Sequence, residues 1–114
     1  MSKLQATAIL KIHEGKLDEF TVLATQCIAS VKEKDKCTLQ YDWFFNESHT
    51  ECVVREAYTD SNALLTHMAN LGELLGKVLK VADMSLELYG DPSPELKTVI
   101  NSANGKIYSF YGGI

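Results

Sequence analysis

The chain has 114 residues, 46% hydrophobic and 23% charged, the balance of one ordinary soluble domain. That length buries roughly two thirds of the unfolded surface, so no disulfide or metal staple is needed, and it is too short for two domains. The 11 Lys plus Arg face 15 Asp plus Glu, a formal charge of -4, and Arg55 is the one arginine; nucleic-acid and phosphate binders cluster Arg and Lys, so both partners are excluded.

Met1-Ser2-Lys3-Leu4-Gln5 has no apolar stretch behind its positive charge, and no apolar run nears the roughly 20 residues of a membrane span. A cytoplasmic protein without membrane contact is expected. Cys27, Cys37 and Cys52 are an odd set with no C-x-x-C pair, which fits reduced thiols and no zinc. Cys27 reads as a small buried hydrophobe on a helix stripe, and Cys52 is the cysteine with the option of lining a cavity.

Leu4 to His13 alternates as a strand, with Leu4, Ala6, Ala8, Leu10 and Ile12 on its apolar face. Glu14-Gly15 ends it. From Lys16 the period turns helical, with Leu17, Phe20, Ala24, Cys27, Ile28 and Val31 on one stripe. The helix dissolves in Lys32-Glu33-Lys34-Asp35-Lys36, read as a solvated end. Cys37–Asn46 and Glu51–Thr59 form a hairpin of aromatic and β-branched residues around Glu47-Ser48-His49-Thr50. Closing the loop at Asn46 and Glu51 pairs Tyr41 with Glu56, Trp43 with Val54 and Phe45 with Cys52. Leu39 and Tyr58 then share the inner face with these residues.

Asp60-Ser61-Asn62 offers N-caps for a helix from about Ala63, whose stripe is Leu64, Met68, Leu71 and Leu75, with His67 at its edge. Gly72 and Gly76 predict a break, followed by a short helical piece ending at Val78-Leu79. Val81 to Tyr89 alternates again. Ser93-Pro94-Glu95 opens a helix to about Ser102, and Lys106–Tyr111 is a last strand. The order β-α-β-β-α-β predicts a single domain over 1–114: a ferredoxin-like α+β sandwich (core 4–90) with an extension (91–114) adding a C-terminal helix and strand. Ile9, Phe44, Val53 and Ala57 make the outer sheet face too apolar for water, which predicts a second copy packed sheet to sheet.

Gly72-Glu73-Leu74-Leu75-Gly76-Lys77-Val78 imitates a phosphate loop but is one residue short and lacks the Ser/Thr for magnesium. His13, His49 and His67 lie on separate elements without ligand-spaced partners, so no metal is expected. No nucleophile signature is present. What remains is Tyr41, Trp43, Phe45, Glu56, Tyr58 and His67 between the sheet and the second helix. Such buried polar groups pair, Glu56 with His67 or either with a tyrosine. Two readings stand side by side: an ordinary hydrogen-bonded core, or an uncharged, aromatic-lined pocket for a planar substrate. In the second, His67 or Glu56 takes a proton and Tyr41, Trp43 and Tyr58 orient the ring.

Three stretches together carry a family likeness: Gly15-Lys16-Leu17-Asp18-Glu19-Phe20, Tyr41-Asp42-Trp43, and Glu56-Ala57-Tyr58 with His67 nine residues beyond Tyr58. Over about residues 4–90 the chain resembles the antibiotic biosynthesis monooxygenase family. The resemblance implies a homodimeric α+β barrel, with a pocket in each subunit. It also implies oxygenation of a small aromatic or quinol substrate without cofactor, the substrate's own carbanion reducing dioxygen. Glu56, Tyr58 and His67 are the catalytic positions it carries over. Tyr41, Trp43, Phe45, Met68 and Leu71 form the expected substrate-binding set. Haem-degrading relatives carry Asn near Thr7 or Ala8 and Trp at the place of His67, so haem degradation is not implied. The family also holds isomerases, which leaves a small-molecule binder or an isomerase as the alternative; the lone arginine counts against a phosphorylated substrate.

Overall fold

Alternation in the first strand sets the architecture. The computed structural model describes residues 3–114, and its central strand, β1 (Leu4–Ile12), turns Leu4, Ala6, Ala8 and Leu10 inward, each 5% exposed or less. The hairpin β2 (Thr38–Phe45) and β3 (Glu51–Tyr58) lies on one side of β1, and β4 (Ala82–Tyr89) lies on the other, all antiparallel. A short β5 (Lys106–Tyr108) runs parallel to β4, giving the sheet order β2-β3-β1-β4-β5. The sheet is open, as a ferredoxin-like sandwich requires, and does not close on itself.

The hairpin register is the expected one: Tyr41 faces Glu56, Trp43 faces Val54 and Phe45 faces Cys52. Asn46 Oδ1 accepts from the backbone of Thr50 and Glu51 and braces the loop. Leu39 departs from expectation. A bulge between Thr38 and Gln40 shifts the register, and Leu39 is 56% exposed instead of facing inward.

The helices cover the inner face. α1 (Leu17–Lys34) buries Phe20, Ala24, Cys27 and Val31 at three- and four-residue steps. The side chain of Asp60 caps α2 (Ser61–Leu71) by accepting from Ala63 N at 2.9 Å. Gly72, with φ of +51°, makes the expected break before α3 (Glu73–Val81), which runs past Val78-Leu79 straight into β4. Ser93 caps α4 (Pro94–Ser102), which buries Leu96 and Ile100. The last strand is shorter than the expected 106–111. β4 ends at Tyr89, opposite Tyr108, so residues 109–111 have no strand to pair with.

On the outer face Phe44 is 54% exposed, Ile9 and Val53 are half-buried, and Ala57 is itself buried, contrary to the bare position expected for it. The lone Arg55 also lies on this face, away from the helices. Among the described residues no helix is long and apolar enough to cross a membrane.

Candidate active site

The sheet and helices do not fill the space between them. A cavity of about 70 Å³ opens there, well above the ~10–15 Å³ that one water needs. Leu10, Leu71, Val78, Met84 and Leu86 make most of its wall aliphatic. The aromatic lining expected from the sequence is confined to Tyr41 and Trp43. Glu56 and His67 bring the only titratable oxygen and imidazole groups to this mostly apolar wall beside them, among the described residues.

His67 sits between Leu64 and Leu71 on the buried stripe of α2, 3% exposed. Its Nδ1 lies 2.8 Å from Oδ2 of Asp35, the C-cap residue of α1. The charged run from Lys32 to Lys36 predicts a solvated Asp35. Its side chain is in fact only 3% exposed and takes two further hydrogen bonds, from Thr38 Oγ1 and Asn70 Nδ2, both 2.8 Å. Burial alone raises the proton affinity of this carboxyl. The donors Asn70, His67 and Thr38, with the imidazole charge, more than offset that and hold it below the usual carboxylate range. Asp35 therefore stays ionised and can only accept, which assigns the ring proton to Nδ1 and leaves the Nε2 lone pair free. Burial pushes the His67 pKa down, and Asp35 only partly restores it.

Nε2 of His67 points toward Glu56, with 4.0 Å to Oε1, too long for a hydrogen bond. Burial pushes the Glu56 carboxyl up to about 7, although the Tyr58 hydroxyl donates to it and pulls the other way. Tyr58 is fully buried; that burial, then the Glu56 charge, keeps it a neutral phenol. The result is a line from Asp35 through His67 to Glu56 and Tyr58, with the cavity at its middle.

Of the expected site residues, Tyr41, Trp43, Glu56, His67, Met68 and Leu71 line the cavity. Tyr58 and Phe45 do not. Tyr58 packs with Leu4, Leu64 and Leu88 and reaches the site from behind, through its hydrogen bond to Glu56 and its ring 5.3 Å from the His67 imidazole. Phe45, 37% exposed at the hairpin end of β2, meets Phe20 edge-on and stacks on His49. Cys52 is fully buried but outside the wall, whereas Cys27 is in it, with its thiol pushed up to about 11 by burial. Of the two pairings the sequence left open, Glu56 takes the one with a tyrosine, Tyr58, while His67 takes a partner the sequence did not offer, Asp35. Among the described residues no cluster of three His, Cys, Asp or Glu is placed to hold a metal.

The fold is the ferredoxin-like α+β sandwich found in antibiotic biosynthesis monooxygenases, several of which are among its structural neighbours. MupZ from Pseudomonas fluorescens superimposes over 100% of this chain and 94% of its own, with a TM-score of 0.85 and 23% identity. SnoaB, a cofactor-independent oxygenase from Streptomyces nogalater, matches 82% of this chain and 96% of its own, with a TM-score of 0.69 and 11% identity. A presumed antibiotic biosynthesis monooxygenase from Caulobacter crescentus matches 76% and 87%, with a TM-score of 0.69 and 20% identity. At these identities the likeness establishes the fold. No protein-family profile matches the chain, and no curated protein matches it in sequence.

Proposed function

We propose that the protein is an enzyme that removes a proton from a small, largely apolar substrate, with His67 as the base, and that the reaction is a cofactor-independent oxygenation of a small aromatic or quinol. The observation that carries this reading is the Asp35–His67 pair at 2.8 Å beside the cavity, with Nε2 unpartnered. Asp35 fixes the tautomer and stabilises the imidazolium that forms, a role worth orders of magnitude in rate. Glu56 and Tyr58 form the second catalytic group: the carboxyl exchanges protons near the cavity and the phenol positions it.

In the oxygenation, a substrate C–H bond breaks and its proton goes to Nε2. The carbanion passes one electron to dioxygen, the radical and superoxide combine as a peroxide anion, and that anion takes the proton back from Nε2 to become a hydroperoxide. Loss of water breaks the O–O bond, takes the second hydrogen from the same carbon and leaves a carbonyl. The likeness to SnoaB supports this choice. Oxygen uptake with a panel of small hydroquinones and anthrone-like methylene compounds tests it. Uptake should fall at least 100-fold in His67→Gln; turnover unchanged in that variant overturns the assignment of the base.

Isomerisation is the second reading, favoured by Glu56 standing 4.0 Å from Nε2 with a pKa of about 7. His67 would take a proton and protonated Glu56 would return one. The two readings differ in pH profile. Both need neutral His67 and lose rate as pH falls through its lowered pKa, but only isomerisation also declines above about pH 7, as Glu56 ionises.

The open sheet face, with exposed Phe44 beside Ile9 and Val53, supports a homodimer packed through it. Light scattering at micromolar concentration should give twice the chain mass, and a monomer removes this part of the proposal.

A further inference from the structure

Trp43 is the single tryptophan of the chain, and its indole Nε1 is buried without a hydrogen-bond partner among the described residues. Orphaned buried donors are scarce, because each gives up its hydration with nothing in return. Tyr41 precedes it by two residues on the same face of β2. The Tyr41 hydroxyl lies near the indole N–H, close enough for a weak donor influence that slightly lowers the phenol's proton affinity but not in full hydrogen-bond geometry, so the N–H keeps its donor capacity. Both rings line the cavity, edge to face with centroids 5.7 Å apart, and the Tyr41 ring stands 5.0 Å from the His67 imidazole. Burial holds the Tyr41 phenol far above its ordinary pKa, so it keeps its proton as a donor. Two neutral donors thus share one wall with an unpartnered imidazole nitrogen.

Resting on the reading of His67 as the base, we propose that the Trp43 N–H, with the Tyr41 O–H beside it, holds an oxygen of the substrate, which is therefore a C–H acid conjugated to a carbonyl oxygen. When Nε2 takes the proton, the C–H pair moves into a carbon–carbon double bond and the carbonyl π pair moves onto oxygen. The donors then face an oxyanion. Hydrogen bonds to a charged acceptor are about twice as strong as to a neutral one, so this wall favours the anion over the bound substrate. The aliphatic remainder of the cavity takes the hydrocarbon part and does not discriminate between isosteres.

The single indole makes the test direct, because its N–H gives one proton–nitrogen resonance. The probes are cyclohexanone and its isostere methylenecyclohexane, titrated into the full-length protein, with cyclohexanone α-deuteration in heavy water followed in parallel. Cyclohexanone should move the indole proton downfield while methylenecyclohexane leaves it near its free position. Trp43→Phe should weaken cyclohexanone about five-fold and leave methylenecyclohexane unchanged. Equal indole shifts with both probes, equal weakening of both by the variant, or no binding of cyclohexanone at millimolar concentration overturns the proposal. If the variant does not fold, the comparison of probes on the parent protein decides alone. Deuteration reports on His67 separately. An indole shift without enzymatic exchange removes the base and leaves the oxygen site standing; exchange without an indole shift does the reverse.

Discussion

One sheet supports two cores of different character. At one end Leu4, Ala6, Tyr58, Leu88, Leu96 and Ile100 form one cluster, and all but Ala6 are completely buried. At the other end Leu10, Leu71, Val78 and their neighbours surround the cavity and the buried pair His67 and Glu56. The closed end receives α4 and the C-terminal extension; the hollow end is roofed by α1, α2 and α3. Small inward residues, Ala8 above all, leave volume where a larger side chain would fill it. The extension thus consolidates the end of the sandwich away from the cavity, and the end it does not reach is the underpacked one.

Removing the same atoms from each end separates the two cores most widely. Leu96→Ala should cost stability near the top of the ~2–5 kcal/mol range for buried leucines, and Leu71→Ala near the bottom, because Leu71 already borders empty space. Urea midpoints of the two variants measure it, and equal losses would mean the ends are packed alike.

Glu56→Gln probes the hollow end next. The folded carboxyl titrates at about 7 instead of its ordinary 4.5, so between those values the folded state holds a proton that the unfolded chain releases. Stability therefore falls as pH rises through that window, by about 3 kcal/mol. The variant should match the parent near pH 4.5, exceed it near pH 8, and show a flatter profile by thermal melting. A parent and variant with parallel profiles would place Glu56 in water, not in the core.

Tyr58→Phe gives the smallest effect and tests the one link between the two ends. It should cost about 1 kcal/mol, most of it above pH 7, and raise the Glu56 pKa further, since the lost hydroxyl stabilised the ionised form. An infrared titration of the carboxyl that does not move would show that Tyr58 serves packing alone.

Much of this molecule was legible in its sequence, for reasons that also explain the misses. Strand alternation and a four-residue polar loop leave one register that puts Tyr41, Trp43 and Glu56 on a single face, and the hairpin adopts it. Leu39 escaped because a bulge interrupts the period by one residue, which no alternation pattern announces. His67 was placed on the edge of its stripe but lies at its centre, since a buried ion partner makes an inward histidine tolerable. That partner was hidden. Asp35 stands among Lys32, Glu33, Lys34 and Lys36, four exposed charges of which it looks like a fifth. The clues were the uncharged donors at set distances, Thr38 three residues after Asp35 and Asn70 three after His67, which gain meaning only when α1 and α2 are known to touch. Phe45 rests on the face argument, and Tyr58 on that face together with the family resemblance, and neither says how far along the sheet a cavity extends.

The position of Asp35 at the end of α1 ties reactivity to the fraying of a helix. A carboxylate there opposes the helix dipole and is held in place by three donors, two of them from α2. If the last turn of α1 opens locally, those bonds break together, and His67 loses the partner that fixes its proton on Nδ1. Hydrogen exchange at the Asp35 amide, which closes that turn onto Val31, therefore reports the same opening that would disarm the imidazole. With His67 as the proposed base, its arming depends on two helices staying docked, and the imidazole would gain its reactivity only once the tertiary structure is complete.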